Sequence, residues 1–373
     1  MYKVGIFFGG ESCEHDISVI TALQVLENID KEKYEVIPIY VRNGVWYTGA
    51  IDSVEFFKNF DKSKKKEIIL SGNLLYAKTK FGRFSKYKKL DVAFIASHGG
   101  DGENGDLQGL LEFNGIPYTS SDVFTSALCM DKDKLKSWLS NYGYPVVDGV
   151  TLSRAEFEDK KSKSIVGIIR KLSYPVIIKP ATLGSSIGIT VAENRAQLNT
   201  ALTTAFCYDD KALIEKYIKN NSEYSCACCI GEDGKVLVSA IEKPLSKSLI
   251  LSFADKYSNG GKDEIKREVP AKIDYDLACK IRELTGEIYE RLGLFGAVRI
   301  DYIYDEEEQK LFVNEINTVP GSIAYYLFEE CGISFERLID MMIDVALKRH
   351  EEKNKNLKTY ISNVLEGNLG ISK

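Results

Sequence analysis

Histidine is scarce, with three in 373 residues, which excludes a metal centre built from histidines. Long hydrophobic runs are lacking too. No stretch approaches the roughly 20 apolar residues that a membrane-crossing helix needs, so no membrane partner is expected. Positive charge is not in excess: the formal net charge is −5, which leaves no footprint for nucleic acid. The eight cysteines form no double CxxC of the kind that holds zinc. Cys226, Cys228 and Cys229 cluster in an apolar, strand-like stretch, which reads as reduced, buried thiols in a cytoplasmic protein. Room for a signal peptide is missing, because the chain reaches a strand and Gly9-Gly10 at once. No internal repeat stands out.

What is present is an ordinary globular composition and a length sufficient for two or three domains. Residues 3–8 read as a buried strand, followed by the glycine loop GGESCEHD and an amphipathic helix near Ile17–Leu26. A strand, glycine loop and helix N-terminus in series form a general anion-binding device. Residues 34–40 and 91–96 give two more apolar strands, with a lysine-rich surface loop, Asp61 to Lys66, between them. Ser97 to Glu112 is a second glycine loop feeding a helix. The alternation predicts a parallel sheet across roughly 1–125.

A second unit begins near Met130 with a helix that Gly143 stops. The polar segment 158–164 reads as an exposed loop. Val176 to Ile178 form a strand with Lys179 at its end, and GSSIG is a turn whose small residues let backbone amides approach a phosphate. A third unit starts at Ala212. It holds a hairpin about Glu232-Asp233-Gly234, a long loop over 246–264 and a helix over 274–292. A final helix starts at Ser334, and the charged tail after His350 reads as loosely held.

The most informative stretch is Arg299 to Ser322. It alternates as two strands about an acidic turn and stops at Pro320-Gly321. Folding it about the turn sets Asp301 opposite Glu315 and Arg299 opposite Asn317, all four on one face. Facing carboxylates lie only about 4.5–5.5 Å apart at Cβ, so they call for a cation between them. Mg²⁺ suits the place, because it takes one or two carboxylates and leaves its other positions to water and phosphate.

The motifs GGESCEHDIS, HGGDGENGDLQG, SALCMDKDK, YPVIIKPATLGSSIG and VNEINTVPG, in this order, resemble the D-alanine:D-alanine ligases of the ATP-grasp superfamily, from residue 3 to about 348. The resemblance implies an α/β and α+β fold of three domains: a Rossmann-like, pre-ATP-grasp domain over 1–128, a central ATP-grasp subdomain over 129–211 and a C-terminal one over 212–373. It implies ligation of two D-alanines through an acyl phosphate, for peptidoglycan precursors, with D-serine or D-lactate as alternative second substrates. A nucleotide-binding regulator without catalysis is a further alternative. Asp301, Glu315 and Asn317 would hold two Mg²⁺ ions, with Mn²⁺ as a substitute. Lys132 and Lys179 would contact the ATP phosphates, beside Ser185 and Ser186, and Glu215 and Glu223 the adenine-ribose side. Glu14 would bind the ammonium of the first D-alanine, and His98 would lie near its carboxylate. Arg299 would stabilise the transferring group. Lys256 and Tyr257 would sit on a loop that closes over the site, with Tyr257 joining Ser185 and Glu14. A homodimer is expected.

One departure stands out. Where the family usually has a serine for the carboxylate of the second D-alanine, this chain has Tyr326. The expectation is that the Tyr326 hydroxyl takes over, with Ser322, Gly321 and backbone amides as the alternative.

Overall fold

The computed structural model describes residues 1–49, 57, 60–62, 65–245 and 267–357, apart from the side chains of 160–164. The first sheet has seven strands: β1 (Tyr2–Gly9), β2 (Tyr34–Arg42), β3 (Val45–Thr48), β4 (Lys66–Ser71), β5 (Leu74–Lys78), β6 (Phe84–Lys89) and β7 (Val92–Ile95), in the order β6-β5-β4-β3-β2-β1-β7. Among the described strands the parallel pairings are those of β1 with β2 and β7, and Ala93 of β7 adds a parallel bridge to Tyr118. The expected parallel sheet is therefore confined to those three strands, and β2 to β6 form an antiparallel meander. Loop length is the reason. Asn43-Gly44 and Gly72-Asn73 are two-residue turns, whereas a parallel crossover needs a dozen residues or more.

The second sheet has the order β10-β9-β11-β8, from β8 (Gly149–Ser153), β9 (Val176–Pro180), β10 (Thr190–Ala192) and β11 (Lys211–Lys216). Strand β11 lies between β9 and β8, so this sheet runs past residue 211, where the sequence reading ended the second unit. The segment 158–164 is not a loop but the middle of the helix Arg154–Leu172. Ser153 and Glu156 form a capping box at its start, and Glu and Lys are good helix formers even without an apolar stripe.

The third sheet, β14-β13-β12-β15-β16, is built from β12 (Asn221–Ile230), β13 (Val236–Pro244), β14 (Arg267–Glu268), β15 (Val298–Asp305) and β16 (Lys310–Asn317). The helix Tyr275–Leu292 covers one face and ends at Gly293, whose positive φ of 64° terminates it. Leu135 and Leu139, from the helix Lys132–Asn141, pack into the same core as Ile281, Ile288 and Val298. The last helix, Phe335–Asn354, is capped by Ser334 and extends four residues beyond His350 into the tail expected to be loose. It buries Leu338, Met342 and Ile343 in one core with Val4, Phe94 and Cys229, which ties the first sheet to the third.

No helix among the described residues is long and apolar enough to cross a membrane. The long loop over 246–264, with Lys256 and Tyr257, lies outside the described residues, as do positions 63 and 64 of the lysine-rich loop.

Candidate active site

Three loops and one hairpin meet at a pocket. The first loop ends at Glu14, which starts the helix His15–Asn28 without capping it through its side chain. The carboxylate instead accepts a hydrogen bond from the hydroxyl of Ser185, in the loop after β9. Two glycines make room for it. A Cβ at Gly99 would meet Glu14 Oε2 at 2.6 Å, and one at Gly184 would meet it at 3.0 Å. Ser185 and Ser186 take φ of 54° and 58°, left-handed values that non-glycine residues seldom adopt. That turn aims Ser185 at Glu14.

His98 follows β7 and is 3% exposed. Its Nδ1 lies 2.7 Å from the carbonyl of Val319 and its Nε2 2.7 Å from the Thr21 hydroxyl. A nitrogen facing a carbonyl must carry the proton, so Nε2 accepts from Thr21. Burial lowers the His98 pKa, which keeps this neutral tautomer in place. The oxygen of Thr21 in turn accepts from the backbone N–H of Ser322 at 3.0 Å. His98 therefore joins the first helix to the segment after β16, and both ring nitrogens are already engaged.

The register of the hairpin is as expected: Arg299 faces Asn317 and Asp301 faces Glu315. The charges are balanced from within the protein. Arg299 donates to both oxygens of Asp301, at 2.7 and 2.8 Å, and Asn317 Nδ2 donates to Asp301 at 3.0 Å. Lys132 Nζ stands 3.4 Å from Glu315 and donates to the Leu183 carbonyl at 2.8 Å. Just beyond this pair of carboxylates a bulge intervenes. Tyr302 pairs with Val313, so Asn314 is the extra residue of β16. A bulge re-aims a side chain, and Asn314 accepts from Lys179 Nζ at 3.0 Å.

Lys179 also pairs with Glu215 at 2.7 Å, and Lys136 takes the other oxygen of Glu215. Glu215 thus faces two lysines. Burial alone would raise its pKa; the two ammonium groups reverse that and hold it at about 2. Glu223, on β12, contributes to the field at Lys179, whose pKa is raised against burial chiefly by Glu215.

Gly321 and Ser322 lie in a short 3₁₀ turn. There Ser322, Ile323 and Ala324 all have φ between 51° and 55°. Gly321 lines the pocket, as do Glu14, His98, Arg299, Glu315 and Asn317. Tyr326 does not meet the expectation set for it. Its hydroxyl donates to Glu242 at 2.7 Å, and the Arg267 guanidinium covers its ring at 4.3 Å. The ring is too long for a serine's place, and a buried glutamate has taken the donor. Lys256 and Tyr257 lie outside the described residues.

Three participants escaped the sequence reading. Glu103 lines the pocket and accepts from the backbone N–H groups of Gly99 and Val319, both at 3.1 Å. Burial, with Glu14 nearby, raises its pKa to about 7. Its position inside HGGDGENG was the available signal. Lys136 sits one helical turn after Lys132, and that spacing placed both on one face. Asn314 carried no signal, because a bulge is a property of paired strands.

Three sheets with a cleft fed by glycine loops define an ATP-grasp architecture. Comparison with known proteins narrows this. The model for "D-ala D-ala ligase N-terminus" matches residues 3–121 and that for "D-ala D-ala ligase C-terminus" residues 138–344. A D-alanine--D-alanine ligase of Thermosipho melanesiensis is 38% identical over 99% of this chain and 100% of its own length. One from Caldicellulosiruptor bescii is 37% identical over 95% and 98%. Among solved structures, the VanG D-Ala:D-Ser ligase of Enterococcus faecalis has a TM-score of 0.77 at 30% identity, covering 92% of this chain and 99% of that one. The D-alanine-D-alanine ligase of Coxiella burnetii has a TM-score of 0.78 at 26%, covering 95% and 98%. The chain belongs to the D-alanine–D-alanine ligase family.

Proposed function

We propose that this protein joins two D-alanine molecules into D-alanyl-D-alanine with ATP as phosphoryl donor, for peptidoglycan precursors. The observation that carries the reading is the convergence of Glu14, Ser185, Arg299, Glu315 and Asn317, from all three sheets' loops and strands, on one pocket. A carboxylate does not react with an amine at neutral pH, so it must first carry a leaving group. The γ-phosphorus of ATP forms a bond to a carboxylate oxygen of the first D-alanine as its bond to ADP breaks. The free amine of the second D-alanine then attacks the acyl carbon, phosphate departs, and the amine's surplus proton is released. Positioning and charge neutralisation are what such a transfer asks of a protein.

The residues divide that work. Glu14, steadied by Ser185, binds the first ammonium, and His98 and Glu103 shape the wall beside it. Arg299 faces the transferring phosphoryl group and the oxyanion of the tetrahedral intermediate. Lys132 and Lys179 hold nucleotide phosphates, the turn at Ser185-Ser186 offers backbone amides, and Glu215 and Glu223 lie toward the adenine-ribose side. Gly321 and Ser322 receive the second carboxylate, since Tyr326 is committed to Glu242. Lys256 and Tyr257, outside the described residues, are assigned to closure over the site, which would exclude water.

Asp301, Glu315 and Asn317 would hold two Mg²⁺ ions, or Mn²⁺. The donor set fits. It is all oxygen and two carboxylates face each other, a set that suits Mg²⁺ with water and phosphate as its other ligands. Bound there, the metal would neutralise phosphate charge. A three-domain division, with its second boundary after β11 rather than at 211, a homodimer and a cytoplasmic location complete the proposal.

A second reading, D-serine as second substrate, draws support from the similarity to the D-Ala:D-Ser ligase, and D-lactate is the further alternative. Phosphate release over a panel of D-amino and D-hydroxy acids, with mass spectrometry of products, separates the two. D-alanine supplied together with D-lactate, or with D-serine, should give mainly D-alanyl-D-alanine; a predominantly ester product in the first mixture or predominantly D-alanyl-D-serine in the second would defeat the first reading.

A further inference from the structure

Lys136 is the deepest cation of the site that the chemistry above leaves without a task. Its side chain is 7% exposed and its partner Glu215 1%. A buried ammonium needs an anion, and one glutamate satisfies one lysine. Here Glu215 is shared, with one oxygen on Lys136 and the other on Lys179 at 2.7 Å. For stability alone the arrangement is poor. A single lysine–glutamate pair would be neutral, and apolar side chains of similar volume would often serve as well or better. Burial and the adjacent Lys179 lower the Lys136 pKa, while Glu215 opposes them. Lys179 is approached from two further sides, by the Asn314 carbonyl oxygen and by the fields of Glu315 and Glu223.

We propose that Lys136 is a positioning residue for nucleotide binding: by occupying one oxygen of Glu215, it prevents that carboxylate from closing on Lys179, whose ammonium stays available to nucleotide phosphates. The inference deepens the proposed function and rests on its assignment of Lys179 to the phosphates. Without Lys136, both oxygens of Glu215 turn to Lys179. The pair becomes neutral and self-contained, and its attraction for a polyanion falls. No buried charge loses its partner in the process, so the fold is expected to survive.

The test uses the full chain and the variants Lys136→Met, Lys136→Arg and Lys179→Met. Affinities for ADP and for adenosine are measured by calorimetric competition, alongside the Michaelis constants for ATP and D-alanine and thermal unfolding. Adenosine lacks phosphate, so it reports on the pocket without Lys179. In Lys136→Met, ADP binding should weaken about tenfold, a clearly larger factor than for adenosine, whose side of the site includes Glu215. The ATP constant should rise with it, the first D-alanine constant should hold, and Lys136→Arg should recover part of the ADP affinity. Lys136→Gln, also neutral, carries the same expectation should the methionine variant fail to fold. Equal losses for ADP and adenosine, or wild-type ADP affinity in Lys136→Met while Lys179→Met is impaired, would overturn the role of Lys136 alone. Wild-type ADP affinity in Lys179→Met would overturn the phosphate assignment and the inference with it.

Discussion

Glu103 shows how a single carboxyl group couples this site to pH. Both of its oxygens accept backbone N–H groups, one from the glycine loop and one from the segment after β16. Burial nevertheless dominates and raises the pKa from 4.5 to about 7. The sign of the linkage follows. Between those two values the folded chain keeps a proton that the unfolded chain has lost, so stability must fall as pH rises. The loss is complete once the folded group ionises. We therefore expect Glu103→Gln to remove a decline in unfolding free energy on the order of 3 kcal/mol between about pH 4.5 and 7. Urea titrations of both proteins across that range check it, and parallel stability profiles would refute it.

Tyr326 is the second case at this scale. Its hydroxyl faces Glu242, which is 6% exposed, and the Arg267 guanidinium stands 3.7 Å from that carboxylate. Tyr326→Phe removes a hydrogen bond to a buried charge, which should cost roughly 1.5–3 kcal/mol of stability. Because the hydroxyl does not face the pocket, the second-site Michaelis constant should stay near wild type. A large rise in that constant with unchanged stability would return the hydroxyl to the substrate.

At the scale of elements, the hairpin β15–β16 combines two functions in one register. Asp301 is the anchor of Arg299 and Asn317, whereas Glu315 answers to Lys132. Both carboxylates are assigned to the metal, so Asp301→Asn and Glu315→Gln should each abolish phosphate release. Their effects on the fold should differ. Arg299 is half-buried and its charge is held chiefly by Asp301, so Asp301→Asn should lose up to about 3 kcal/mol by orphaning it. The Lys132–Glu315 contact is longer, 3.4 Å against 2.7 Å for Arg299–Asp301, so the loss of Glu315 should cost less. Turnover near wild type in a folded Glu315→Gln would remove the metal assignment, and equal denaturation midpoints would remove the anchoring role.

The molecule as a whole is held in register by its last helix. Arg349 lies over the Phe295 ring at 4.1 Å and the Tyr118 ring at 5.3 Å, and donates to the Ser120 carbonyl at 3.2 Å. Lys353 adds an ion pair to Glu112 at 2.7 Å. These contacts fasten the first sheet, which carries Glu14 and His98, to the third, which carries the hairpin. Arg349→Ala should lower stability by about 2 kcal/mol through the lost cation–π and hydrogen-bond contacts. It should raise the first-site D-alanine constant more than the ATP constant, because only the former site spans that interface. Steady-state kinetics with each substrate varied in turn would show equal shifts if the helix has no such role.

The sequence by itself determined a good part of this. Period-two alternation about an acidic turn set Asp301 against Glu315, because cross-strand pairing follows from turn position and strand length. The resemblance carried by the glycine-loop motifs announced Glu14 and His98, and the spacing of apolar residues announced the helix over 274–292. Tertiary structure alone decided the remainder. Whether β11 closed the second unit or opened the third depended on which strands lay beside it, and a strand's own residues do not name its neighbours. The place of Asn314 depended on a bulge that exists only once two strands are paired. The fate of the Tyr326 hydroxyl depended on Glu242, 84 positions away, and the charge on Glu215 on two lysines brought in by other elements. Buried polar groups take whatever partner the fold sets beside them, since leaving one unpaired costs more than any local preference supplies.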